Sequence, residues 1–159
     1  MTAEELLAAA RAKGLMIATA ESCTGGLVAA ALTDVPGSSD VFDRGFVTYS
    51  YPSKVALLGV EQATLDAVGA VSEEVAREMA AGALAHSDAQ VTVAITGVAG
   101  PGGSESKPEG LVHFAAASAA GVVHREMRFG PLGRSQVRRA AVQTALDMLG
   151  DAVNALPAK

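Results

Sequence analysis

Ser22, Cys23 and Thr24 stand in a row between an apolar run at 15–19 and the paired glycines Gly25 and Gly26, and a second apolar run at 27–32 follows at once. Such a junction reads as strand, turn, helix. It exposes a side chain at the strand end, and the free N–H groups of a helix start point at whatever that side chain attacks or binds. A serine hydroxyl becomes a nucleophile only beside a base, His or Lys. The three histidines, His86, His113 and His124, lie at a helix end or inside strand-like runs, away from the polar loops. A Ser–His–Asp triad therefore has poor support. Lys54 closes a second polar loop, 49–54, and serves as a base if burial lowers its pKa enough to leave it neutral. Tyr49, in the same loop, could relay the proton or orient the lysine. Cys23 is the rival nucleophile, because a thiol at a helix N-terminus has a lowered pKa. Backbone geometry decides which neighbour faces a crevice, so spacing alone leaves both open. The plainer alternatives are a helix cap for Ser22, a small buried residue for Cys23 and a surface lysine for Lys54.

A third polar segment, from Thr96 through Gly97, Gly100, Gly102 and Gly103 to Ser104, is too rich in glycine for ordinary punctuation. Glycines let a backbone approach a ligand and turn successive N–H groups toward an anion. It is not a P-loop, since no Gly-Lys-Ser/Thr follows, and no helix-like pattern follows it as a dinucleotide fingerprint requires. A flexible surface loop is the competing reading. Arg134 and Arg138 are four apart at the start of the last helix and share a face, so both could hold one phosphate, whereas Arg139 points elsewhere. A carboxylate or a surface salt-bridge network would suit them equally. No cluster of His, Asp and Glu has metal-ligand spacing, so no metal is expected.

These residues need elements to place them. Thr2-Ala3-Glu4-Glu5 has the form of a capping box and opens a helix that Gly14 stops. The run at 15–19 predicts a buried strand, and 25–33 a helix ending at the loop 34–39. Residues 46–49 predict a second strand, and Pro52 starts a short helix through Leu58. Ser72, with Glu73 and Glu74 behind it, opens a longer helix. The run at 91–96 predicts a strand that enters the Gly-rich segment. Runs at 111–117 and 121–129 predict a hairpin, and Val142, Leu146, Leu149, Val153 and Leu156 a final amphipathic helix. The order favours a three-layer α/β/α sandwich whose early strands are parallel, joined by helical crossovers, with an antiparallel member late. In open sheets of this kind the carboxyl ends of the parallel strands form the ligand crevice, where the three polar loops would meet.

The whole chain, 1–159, is expected to be one domain, since 159 residues core one domain well and two poorly. A net charge of −5 argues against a nucleic-acid surface, which is normally a basic stripe. The single cysteine excludes an internal disulfide and suits a reducing compartment. No basic leader with an apolar core opens the chain, and no apolar run approaches the roughly 20 residues of a bilayer span. A cytoplasmic protein with no membrane partner is expected. The Ala-rich composition with few charges favours a homodimer.

Taken together, Thr19-Ala20-Glu21-Ser22-Cys23-Thr24-Gly25-Gly26, Gly45-Phe46-Val47-Thr48-Tyr49-Ser50, Gly69-Ala70-Val71-Ser72 and Ile95 through Gly103 resemble the CinA C-terminal domain family, in the same order and over nearly the whole chain. Members include free-standing nicotinamide mononucleotide deamidases, and the absence of an extra N-terminal region fits that form. The resemblance implies an α/β/α sandwich with a mixed, mainly parallel five-stranded sheet. It implies hydrolysis of the carboxamide of nicotinamide mononucleotide to nicotinate mononucleotide and ammonia, with no cofactor. It implies Ser22 as nucleophile, assisted by Lys54 and Tyr49, with Arg134 and Arg138 in the family's arginine positions. Backbone N–H groups at Thr24, Gly25 and Gly26 would then hold the oxyanion, and Thr96, Gly97, Gly100, Gly102 and Gly103 would bind the pyridine mononucleotide. The chain departs from the pattern at Tyr51, where asparagine is usual, at Gly133, where aspartate is usual, and at Glu109, where valine is usual. A pyridine-nucleotide-binding module without turnover is the alternative function.

Overall fold

Polar residues at each boundary decide where the elements begin. The structure, a computed structural model, describes residues 1–104 and 106–159. The Thr2 hydroxyl accepts from Glu5 N–H at 3.1 Å and the Glu5 carboxylate from Thr2 N–H at 2.8 Å, which opens α1 (Ala3–Lys13) as the capping box requires. The chain continues as β1 (Ile17–Glu21), α2 (Leu27–Thr33), a single 3-10 turn, β2 (Phe42–Val47), α3 (Tyr51–Leu58), α4 (Gln62–Val68) and α5 (Glu73–Ala85). Then come β3 (Val91–Gly97), the hairpin β4 (Leu111–Ser118) and β5 (Gly121–Arg128), and α6 (Arg134–Ala155).

The five strands form one sheet in the order β2-β1-β3-β4-β5. β1 pairs in parallel with both β2 and β3, while β4 is antiparallel to both β3 and β5. Four strands thus point one way and β4 alone is reversed, so the sheet is mixed, as the sequence implies, with two parallel and two antiparallel pairings. Alternation along the strands separates two cores. Ile17, Val93, Ile95, Val112 and Phe114 meet Leu6, Leu7, Val28, Leu32, Val137 and Leu149 of α1, α2 and α6. Ala20, Ala94, Ala115 and Ala117 face Leu58, Leu65, Val75, Ala76 and Met79 of α3, α4 and α5. The second core is small-sided, so its helices lie close to the sheet. Gly82 takes this furthest: a Cβ there would stand 1.9 Å from the Leu58 carbonyl oxygen, so glycine is what lets α3 rest on α5.

Some boundaries differ from the sequence reading. β2 starts at Phe42 and stops at Val47, earlier than the expected 46–49. It is an edge strand with every residue at least partly exposed, and Asp43 and Arg44 are tied to Asp88 outside the sheet. No apolar alternation therefore marks its start. Thr48 and Tyr49 consequently belong to the following loop. α4, which the pattern did not separate, buries only Leu65. α2 begins two residues late because Gly25 and Gly26 both adopt positive φ, at 59° and 107°, and complete the turn first. At the C-terminus, Leu156 falls just past the end of α6 and Val142 is only partly buried, while Val137 and Ala141 carry the contact instead.

Candidate active site

The turn after β1 is built largely by residues that the motif itself contains. Ser22 continues the β1–β3 ladder by donating its N–H to the Ile95 carbonyl at 2.9 Å, and its own carbonyl accepts from Gly25 N–H at 3.0 Å. Glu21, 1% exposed, turns to the other face of the sheet and accepts from the N–H groups of Val28 at 2.9 Å and Ala29 at 3.0 Å. Its carboxylate therefore occupies the start of α2. The expectation that those helical N–H groups face the site is corrected: an internal carboxylate already holds them. Arg138 clamps the turn, with Nε donating to the Cys23 carbonyl at 3.1 Å and Nη2 to the Thr24 carbonyl at 3.2 Å.

Lys54 meets Ser22 from the other side. Ser50 caps α3, accepting from Ser53 N–H at 3.2 Å, and Pro52 sits in the first turn. This sends the Lys54 side chain inward. It is 1% exposed, and Nζ lies 3.0 Å from Ser22 Oγ, 2.6 Å from the Thr48 carbonyl oxygen and 3.4 Å from that of Tyr49. Two carbonyls fix two of the amine's N–H bonds. The remaining tetrahedral position points at the serine hydroxyl, and in the neutral amine it is the lone pair. Burial pushes the Lys54 pKa down to about 8, so an appreciable fraction is neutral near physiological pH.

Cys23 has the opposite character. It is 6% exposed, and burial pushes its thiol up to about 11, so the thiolate is scarce near neutral pH. A backbone N–H, Lys54 and Arg138 pull the thiol the other way, but burial outweighs them. Cys23→Ser is expected to keep hydrolysis within about threefold of the parent, and iodoacetamide to leave the native protein active; activity lost in both experiments would return the nucleophile to Cys23.

Ser22, Cys23, Lys54, Thr96 and Gly97 line one cleft of about 180 Å³, whose outer wall is Tyr49, Tyr51, Ala70, Val71 and Ser104. Thr96 is buried and donates its hydroxyl to the Ala70 carbonyl at 2.9 Å, so it builds the wall. Gly97 ends β3 where a Cβ would strike Val112 Cγ2 at 2.7 Å. The Tyr49 phenol is not at the lysine. β2 ends too early to carry it inward, and its hydroxyl accepts from Arg134 Nη2 at 2.8 Å, while only its carbonyl reaches Lys54. Arg134 also donates through Nη1 to the Gly100 carbonyl at 2.8 Å. Arg134 thus stands exposed beside Tyr49, whereas Arg138 is spent on the turn. Among the described residues the Thr24 hydroxyl is buried without a partner, and Gly100, Gly102 and Gly103 do not line the cleft.

The sequence reading marked Tyr51 only as a departure from the family pattern, and it passed over Lys107. Tyr51 crosses the mouth with its hydroxyl accepting from Ala70 N–H at 3.0 Å. Lys107 reaches over to the Val68 carbonyl at 2.8 Å and to that of Val71. These ties join loops distant in sequence, and no local spacing announces them. His113 and His124 bond to each other, Nδ1 to Nε2 at 2.9 Å, on the β4–β5 hairpin, with Glu126 and Glu73 3.8 and 3.7 Å from their outer nitrogens. No histidine is bonded to Ser22 or Lys54 among the described residues.

A hydroxyl facing a depressed-pKa lysine, in a cleft rimmed by an arginine and a glycine-rich segment, can attack an electrophilic carbon of an anionic ligand. Among the described residues no helix is long and apolar enough to cross a membrane. The chain is 50% identical over 149 residues to "Nicotinamide-nucleotide amidohydrolase PncC" of Escherichia coli K12, covering 92% of this chain and 89% of that protein. It is 51% identical over 138 residues to a "Putative competence-damage inducible protein" of Caldicellulosiruptor saccharolyticus, of which it spans only 33% of the length. The crystal structure of the competence/damage inducible protein CihA from Agrobacterium tumefaciens superposes with a TM-score of 0.92 at 53% identity, covering 96% of this chain and 93% of that one. The profile of the CinA C-terminal domain matches residues 1–153, and the chain belongs to that family.

Proposed function

We propose that this chain is an amidohydrolase that converts nicotinamide mononucleotide to nicotinate mononucleotide and ammonia, with Ser22 as nucleophile and Lys54 as base. The observation that carries the mechanism is the 3.0 Å contact between Ser22 Oγ and Lys54 Nζ in the floor of the cleft. The half-identity to a protein named for this activity, over nearly the full length of both, carries the substrate.

Neutral Lys54 takes the proton as Ser22 Oγ adds to the amide carbon. The carbonyl oxygen becomes an oxyanion, held by N–H groups of the 23–26 turn other than that of Gly25, which is committed to Ser22. Lys54, now charged and steadied by the Thr48 and Tyr49 carbonyls, returns its proton to the leaving nitrogen, and ammonia departs from an acyl ester on Ser22. Water, deprotonated by the same lysine, cleaves the ester and restores the serine. Arg134 receives the phosphate, because its guanidinium is at the mouth while that of Arg138 is turned onto the Cys23 and Thr24 carbonyls. Tyr49 places that arginine. Gly97 leaves floor space for the substrate. The reading is completed by a single-domain, cytoplasmic homodimer working without a cofactor.

Incubating the purified protein with nicotinamide mononucleotide tests it: equal release of ammonia and nicotinate mononucleotide is expected, and no release overturns it. Tyr51, pinned across the mouth by Ala70, favours a second reading, a module that binds the nucleotide without turnover. Saturable binding with no ammonia would establish that reading instead.

A further inference from the structure

Glu109 lies half-buried between the glycine-rich segment and β4, and its carboxylate spans two parts of the chain. Oε1 accepts from Gly102 N–H at 2.6 Å, and Oε2 accepts from Gly133 N–H at 3.0 Å. Gly133 immediately precedes Arg134, whose guanidinium returns the tie to Gly100 and extends it to Tyr49, at 2.8 Å each. The carboxyl group also lies close against Gly100: a Cβ there would come 2.5 Å from Glu109 Cδ. Each segment therefore holds the other, one by a carboxylate on N–H groups and one by a guanidinium on a carbonyl. Bonds from backbone N–H to a carboxylate are roughly twice as strong as neutral ones. An exposed arginine left alone must be ordered when an anion arrives, at a cost in side-chain freedom.

We propose that Glu109 is a positioning residue for substrate binding: it fixes the glycine-rich segment against the start of α6, so that Arg134 is aimed at the cleft mouth before the substrate enters. This rests on the reading of Arg134 as the phosphate ligand. Loss of the carboxylate frees both N–H groups, lets the two segments part and loosens Arg134 from Gly100, while Ser22 and Lys54 stay in place on other elements. The defect therefore falls on binding and spares the chemical step.

Steady-state kinetics of Glu109→Ala, Glu109→Gln, Arg134→Ala and the Glu109→Ala/Arg134→Ala double variant on nicotinamide mononucleotide test the proposal, together with amide hydrogen exchange at Gly102 and Gly133 in the unliganded proteins. Glu109→Ala is expected to raise KM about tenfold with kcat within about twofold, and Glu109→Gln, which keeps one accepting oxygen, to recover part of it. The double variant is expected to have the KM of Arg134→Ala alone, because the first residue acts through the second. An unchanged KM, a matching loss in kcat or additive KM effects would overturn the role. Exchange needs no substrate: faster exchange at both amides in Glu109→Ala, from a parent protein inactive on the mononucleotide, would uphold the tie and sink the assigned reaction. Unchanged exchange would sink the tie whatever the reaction.

Discussion

Lys54→Met is expected to lower turnover of nicotinamide mononucleotide by about a thousandfold and leave the protein folded, since a positioned general base contributes roughly 10²–10⁴. Methionine fills most of the volume of the buried stem. It leaves the Thr48 and Tyr49 carbonyls without their donor, and removes an amine that is buried at a cost when charged. The pH dependence identifies the group. With neutral Lys54 as the proposed base, kcat/KM of the parent should rise with pH through a midpoint near 8, and the residual rate of Lys54→Met should lack that limb. Stability carries the same signature. Between about 8 and the ordinary lysine value of 10.5 the unfolded chain binds a proton that the folded one has lost. The Lys54 contribution to stability is thus at its lowest below pH 8 and rises through that window. Chemical denaturation at pH 7.5 and pH 10 measures it, and the part of the change due to Lys54 should vanish in Lys54→Met. A flat activity profile from pH 6.5 to 9 in the parent would contradict the assignment.

Ser22→Ala is expected to abolish turnover to at least three orders of magnitude below the parent while nicotinate mononucleotide still binds. The hydroxyl is small, and its carbonyl and N–H keep their bonds to Gly25 and Ile95, so the turn should survive the substitution. Calorimetric titration of the product separates loss of chemistry from loss of the site. Acid quenching of the parent during turnover, followed by mass spectrometry, should show the acyl ester on Ser22. Activity above a few per cent in Ser22→Ala would transfer the nucleophile's role to water or to Cys23.

How far the sequence foretold this arrangement depends on the range of the forces involved. The caps at Thr2 and Ser72, the helix start at Pro52, the buried strands β1 and β3 and the β4–β5 hairpin rest on neighbours a few residues away, so their patterns survive in one dimension. β2 does not, because an edge strand with half-exposed residues has no apolar alternation to show. Its end point decided where Tyr49 points, so the reading of that phenol as a relay failed with the boundary. Arg134 and Arg138 do share the start of one helix, as their spacing implied. Their partners are tertiary, however, and divide them between the cleft mouth and the back of the turn. Glu21 lies in the most distinctive motif, yet its task, capping α2 from seven residues upstream, fits no local capping pattern. Two departures from the family pattern, Glu109 and Gly133, proved to touch each other at 3.0 Å, which neither position reveals alone.

The 2.9 Å contact between His113 and His124 has room for one hydrogen. One ring must therefore offer a bare nitrogen, and the two tautomers are locked together: choosing the donor fixes the acceptor. A second added proton would set two N–H bonds head to head, so the intact pair carries at most one positive charge. Burial first, then the neighbouring imidazole, disfavour protonation of His113; Glu126 opposes them, and Lys107 and Glu73 follow with smaller effects of opposite sign. Below the ordinary histidine range His113 of the unfolded chain takes up a proton that the folded hairpin resists, and the contribution of His113 to stability falls as the medium turns acid. The cross-strand bond is a counter that reads no higher than one.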